Sequence, residues 1–226
     1  MPVVSHGYDA TMDRRQALAI FRAVTAIVVI GAIAYQAWVI IDSGLFRPLR
    51  FFAFFTILSN LFGAFLWLWL AFRWRRTRTR LDDLLRGAAT LYLVVTFVVV
   101  VLLLGGAELS LSDRIVDFIV HKAFPVIVVV DWLIDPPETD LRMPDVALWM
   151  IFPLVWVALT LVRGALDSWY PYPFLDPDHG GYGSVGYHVL AIFAGFLVIA
   201  GFVVALGDFG RDRRLRAARA RPATPA

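Results

Sequence analysis

Cysteine is absent from the 226 residues. That excludes disulfides, thiolate metal ligands and cysteine nucleophiles together. Charge is scarce: 17% of the residues are Asp, Glu, Lys or Arg, where a soluble domain carries about a quarter. Lysine occurs once, at Lys122, so the cationic charge is otherwise arginine. The four histidines (His6, His121, His179 and His188) include no pair spaced i, i+3 or i, i+4, the helical spacings that hold a catalytic zinc. No metal or other cofactor is expected. There is no internal repeat and no pair of Gly/Pro-broken spans, which argues against a transporter built on inverted repeats.

Apolar residues make up 60% of the chain, and they arrive in blocks of about the 20 residues a helix needs to cross a bilayer. The blocks are 17–41, 51–72, 85–104, 115–133, 145–162 and 186–206. They predict an all-α integral membrane protein, a bundle of six transmembrane helices within residues 1–210. The connections are too short for a soluble domain. The runs are continuous and do not alternate, which excludes a spanning β-barrel. The Arg/Ala-rich segment 211–226 reads as a disordered tail held near headgroups by its charge. Arg14-Arg15 before an apolar run resembles a signal peptide, but the run exceeds the ~7–15 residues of a signal core. It is expected to be an uncleaved first helix.

With six spans, sixteen arginines fall on one side and only Arg47, Arg50, Arg114 and Arg163 on the other. Lys/Arg-rich loops stay in the cytoplasm, so both termini are expected there, in the cell membrane. The pI near 9.5 therefore reports topology, not nucleic-acid binding, and no basic run is interleaved with base-stacking aromatics.

The residues that lipid should exclude carry the functional signal. In the outer halves of the spans these are Gln36, Thr56, Ser59, Asn60, Asp117, His121, Lys122 and His188. Thr56, Ser59 and Asn60 share one helix face, as do Asp117 and His121. Thr56 lies six residues after Arg50 and His121 seven after Arg114, so both sit ~9–11 Å below the outer loop ends. Matching depth suits a hydroxyl nucleophile and its general base. Against this, a membrane threonine commonly bonds the carbonyl four residues back, here Phe52. Ser59 and Asn60 read as interhelical glue before chemistry, Asn60 above all. Lys122 either pairs with a carboxylate or snorkels. Pro125 has no N–H for the His121 carbonyl, so the helix should bend or hydrate there. Asp131 reads as an interface charge or a structural partner, and Trp132 as an aromatic belt residue. Ala191/Gly195 and Gly201/Ala205 read as helix-packing pairs.

The longest outer connection, 163–185, carries Trp169, Tyr170, Tyr172, Phe174 and Tyr182 among three prolines. It is either an interfacial belt or a lid over an outward-facing cavity. In the second case Tyr172, Phe174, Asp176 and His188 are its candidate residues.

Three motifs add a resemblance. Phe54-Phe55-Thr56-Ile57-Leu58-Ser59-Asn60, His121 with Asp131 ten positions on, and Tyr172-Pro173-Phe174-Leu175-Asp176 together resemble the androgen-induced gene 1 protein family, and the chain looks like a prokaryotic member. The likeness runs from about Arg15 to Leu206. It implies six spans in a bacterial inner membrane. It also implies an intramembrane threonine hydrolase that cleaves fatty acid esters of hydroxy fatty acids, with Thr56 as nucleophile and His121 as base. Asp117 would orient the imidazole, and Ser59, Asn60 or Gln36 would supply an oxyanion donor. Membrane lipids and a lipophilic ester are the partners implied. The alternative is a non-enzymatic multi-pass protein that binds or transports a small lipophilic molecule.

Overall fold

The computed structural model describes the backbone of residues 6–103 and 114–220 and their side chains from Arg14 onward, Ala218 excepted. The side chain of His6, the expected span end at Leu104 and the last residues of the basic tail lie outside the described residues. Every regular element among those described is helical: α1 His6–Asp42, α2 Pro48–Phe51, α3 Phe55–Phe72, α4 Arg80–Leu103, α5 Arg114–Phe118, α6 Phe124–Ile134, α7 Met143–Asp167 and α8 Gly181–Arg219. Five of them (α1, α3, α4, α7 and α8) are long and apolar enough to cross a membrane. The segment expected as a fourth span is helical from Arg114 to Ile134, but a π turn, Ile119–Ala123, divides it into α5 and α6.

Helix α4 runs through the middle. On one side α1, α3 and α6 pack around Val29, Trp67, Leu93 and Phe124. On the other, α7 and α8 pack around Leu91, Tyr92, Trp149 and Phe196. The outward faces carry Ile27, Trp38, Phe65, Leu102, Leu159 and Phe202, all exposed. At ~25 cal/mol per Å2 such a surface disfavours water and suits hydrocarbon.

The second expected span starts late. Residues 52–54 leave the helix, and α3 begins only at Phe55, after Phe54 in extended geometry. The break is pinned by Trp156 Nε1, which donates to the Ala53 carbonyl at 2.9 Å. The last helix also departs from expectation, because it stays helical through Arg219. Two of its arginines are paired on the way, Arg211 with Asp140 and Arg214 with Asp135.

Arg14 of α1 and Arg214 of α8 lie at one end of the bundle, the basic end. There Arg14 reaches the Ile134 carbonyl and Arg214 reaches Asp135. Just inside it Asp131 accepts from Arg22 Nε and Nη2 at 2.9 and 3.0 Å and from Arg86 Nη2 at 3.0 Å. Asp131 is thus a structural partner, since three buried charges at this depth stay ionised only if paired. Trp132 is 1% exposed and is no belt residue. Its Nε1 donates to the Val203 carbonyl, and the Arg86 guanidinium lies over its ring. The small residues singled out on α8 do not make close approaches either, for Gly195 and Gly201 face open space.

Candidate active site

Thr56 is the second residue of α3, and this position decides its hydrogen bonding. Residue 52 lies outside the helix, so the hydroxyl has no carbonyl four residues back in helical register. Thr56 Oγ1 instead meets the phenolic oxygen of Tyr172 at 3.4 Å. The Thr56 backbone N–H donates to the same oxygen, also at 3.4 Å. First-turn N–H groups of a helix lack intrahelical acceptors and carry its positive dipole end. An oxygen at the Tyr172 position is therefore reached by a hydroxyl and by a favourably oriented amide.

The outer connection delivers Tyr172. Ser168 ends α7 in the left-handed conformation. Trp169 then lies between the guanidinium groups of Arg50 and Arg163, at 5.0 and 4.9 Å from its centroid. Beyond it Tyr172 and Leu175 turn inward and are buried. Phe174 stacks on Tyr172 at 5.2 Å and His188 stacks on Phe174. This part of the connection covers a cavity, while Tyr182 stays exposed in the manner of a belt residue. Burial pushes the Tyr172 phenol up from its ordinary pKa, so it remains a neutral O–H donor.

The cavity beneath measures about 80 Å3 and is lined by α3, α4, α7, α8 and Pro173–Leu175. Phe55, Val95, Met150, Trp156 and Phe196 make most of its wall, and Thr56, Thr96 and Tyr172 supply its hydroxyls. His121 does not wall it.

His121 sits on the π turn, 7% exposed. Its Nδ1 donates to Asp117 Oδ1 at 2.8 Å, the orienting contact expected, which leaves Nε2 as the acceptor nitrogen. Pro125 explains the turn. The Phe124 N–H bonds Ile119, five residues back, so the Val120 carbonyl would next look to residue 125, which has no N–H. Asn60 Nδ2 fills that role at 3.1 Å and donates to the Thr56 carbonyl at 2.9 Å. One amide thus ties the nucleophile candidate to the turn that carries the base candidate. Among the described residues no hydrogen bond joins Thr56 Oγ1 to His121.

The remaining candidates have local work. Ser59 Oγ donates to the Thr56 carbonyl and meets Thr96 Oγ1 at 3.2 Å. With the Asn60 donors spent as well, neither side chain of this pair has a donor free for an oxyanion. Gln36 is buried on α1, on the far side of α3 from the cavity wall. Asp176 accepts from the Asp178 N–H and pairs with His179, and His188 Nδ1 donates to the Ser184 carbonyl. Lys122 is exposed. Among the described residues no three metal-ligating side chains converge. The site owes two groups to tertiary structure that sequence did not single out, the hydroxyl of Thr96 and the Thr56 main-chain N–H. Comparison of the chain with family models, curated proteins and solved structures finds no match.

Proposed function

We propose that this protein is a six-span intramembrane lipid ester hydrolase of the bacterial inner membrane, with both termini cytoplasmic, related to the androgen-induced gene 1 proteins. Arg114–Ile134 serves as the sixth span in this reading, its 21 residues covering about 30 Å. The arginine-rich basic end faces the cytoplasm.

What supports the chemistry is the Asn60 amide, shared between the carbonyl of Thr56 and that of Val120, next to His121. It ties the main chain at Thr56 to the turn that carries His121, and Thr56 lines an apolar cavity. A substrate carbonyl oxygen takes the point now occupied by the contact between Thr56 and Tyr172. The Thr56 N–H and the Tyr172 O–H then stabilise the developing oxyanion. Released from Tyr172, Thr56 Oγ turns to His121, gives its proton to Nε2 and bonds the carbonyl carbon. Such contacts tighten only once substrate is bound. The ester C–O bond breaks, His121 returns the proton to the departing alcohol, and an acyl-threonine remains. Water, deprotonated by the same imidazole, then attacks the acyl carbon. The bond to Thr56 Oγ breaks, the imidazole returns the proton to Oγ, and the acid leaves. Asp117 keeps Nδ1 protonated throughout.

The test is fatty acid release from a hydroxy-fatty-acid ester by protein purified in mild detergent. Wild type should turn over, and Thr56→Ala and His121→Ala should fold and not. A second reading, binding of a small lipophilic molecule without chemistry, is favoured by the apolar wall and by the position of His121 outside it. Saturable ligand binding without turnover of any ester tried would replace the hydrolase by this reading.

A further inference from the structure

A second cavity, larger than the one beside Thr56, lies at the other end of the molecule. It measures about 540 Å3 and lies between the start of α1, the connection from α3 to α4, and the residues after α6. Eight arginines face it, against three carboxylates: Asp82, Asp135 and Glu138.

Those carboxylates are already in use. Asp82 takes Arg73 and the Thr79 N–H. Asp135 takes Arg22, Arg78 and Arg214. Glu138 lies 3.4 Å from Arg78 and 3.9 Å from Arg15. Arg75 and Arg76 also line the space and meet no carboxylate among the described residues. Arg75 rests on Trp74. Deeper in, Arg78 Nε has no hydrogen-bond acceptor and lies 3.6 Å from the Asp83 carboxylate. Burial, and next the charge of neighbouring Arg86, hold the Arg78 pKa below the ordinary arginine value. The wall is thus under-neutralised around a space far larger than the ~30 Å3 share of one water. Leu18, Ala19 and Leu70 give it an apolar floor.

We propose that this cavity binds a phosphate group, from the headgroup of a membrane lipid or from a free phosphate compound. Guanidinium groups converging from several directions match the several oxygens of a phosphate better than the two of a carboxylate. Basic pockets between spanning helices at the cytoplasmic face are suited to headgroups for the same reason. Occupancy here does not depend on any reaction at Thr56.

The experiment uses the full chain in mild detergent and two probes. Native mass spectrometry compares retention of phosphatidic acid with that of diacylglycerol of the same acyl chains. Thermal unfolding is followed against increasing inorganic phosphate. Selective retention of phosphatidic acid, with no effect of inorganic phosphate, identifies a lipid headgroup. A saturable rise in melting temperature with inorganic phosphate identifies a free phosphate compound. In either case Arg75→Ala/Arg76→Ala should weaken binding at least about tenfold. Both side chains are exposed and make no ion pair, so this variant should melt where wild type does. Arg47→Ala/Arg114→Ala removes equal charge from the opposite end and should bind as wild type does. Equal retention of both lipids with no phosphate effect overturns the proposal. So does binding that the first variant leaves unchanged, or that both variants weaken alike.

Discussion

Asn60 Nδ2 donates to the Val120 carbonyl at 3.1 Å across the interface between α3 and the π turn. Asn60 is completely buried. Pro125 deprives that carbonyl of a main-chain partner, so the side chain of one helix completes the backbone of another. Asn60→Leu keeps the volume but removes the donor. A buried acceptor left unsatisfied costs about 1–3 kcal/mol, so the variant should melt several degrees below wild type in the same detergent. An unchanged melting temperature would show that the carbonyl finds another donor.

The same logic makes Pro125 and Asn60 thermodynamically coupled. Pro125→Ala restores an N–H within reach of the Val120 or His121 carbonyl. Asn60→Leu should then cost less in the Pro125→Ala background than in wild type, with a coupling of about 0.5–2 kcal/mol. Strict additivity of the two substitutions would dissociate the π turn from the proline.

Asp131 stands between Arg22 and Arg86 with all three side chains nearly fully buried. Removing one member of such a cluster strands the other charges in low dielectric, at about 3–5 kcal/mol. Asp131→Ala should therefore give little folded protein. Arg22→Met/Asp131→Leu, which removes the strongest pair, should recover part of the loss in yield and melting temperature.

Asp135 predicts an acid limit to stability. Burial pushes its carboxyl up, but Arg86, Arg78 and Arg22 outweigh this and hold it well below the usual carboxylate range. The folded state therefore binds this proton less tightly than the unfolded state does. The stabilisation is present above the unfolded value of about 3.9 and is lost as pH falls below it toward the folded value. Melting temperature should hold from pH 7 to pH 5 and drop below about pH 4. Asp135→Asn should start lower at pH 7 and show a shallower drop.

Hydropathy made the spanning helices legible, because a continuous apolar block of bilayer length has few other uses. It misjudged the start of α3, where Phe51, Phe52 and Phe54 extend the apolar run although the chain leaves the helix. Pro125 foretold a disturbance beside His121, but the partner that answers it lies 60 residues away on another helix. Arg22 and Arg86 were legible as topology charges and not as partners of Asp131, since those pairs span 109 and 45 residues. The aromatic connection was ambiguous for the same reason. Only the fold separates Tyr172, turned inward onto Thr56, from Tyr182 on the surface.

That inward turn supplies the sharpest test of the proposed chemistry. The Tyr172 ring packs against Phe54, Trp156 and Phe174, and Tyr172→Phe keeps all of these faces. It removes only the oxygen that meets Thr56. If that O–H stabilises an oxyanion, its loss should lower kcat by about 100- to 1000-fold, with a small change in KM and none in melting temperature. Under the binding reading the same substitution should leave affinity for an apolar ligand within a few-fold of wild type, because the oxygen contributes little to an apolar wall. A kcat that survives Tyr172→Phe while Thr56→Ala abolishes it would assign the oxyanion to the Thr56 N–H alone. The helix start at Phe55 would then be the feature that makes Thr56 reactive.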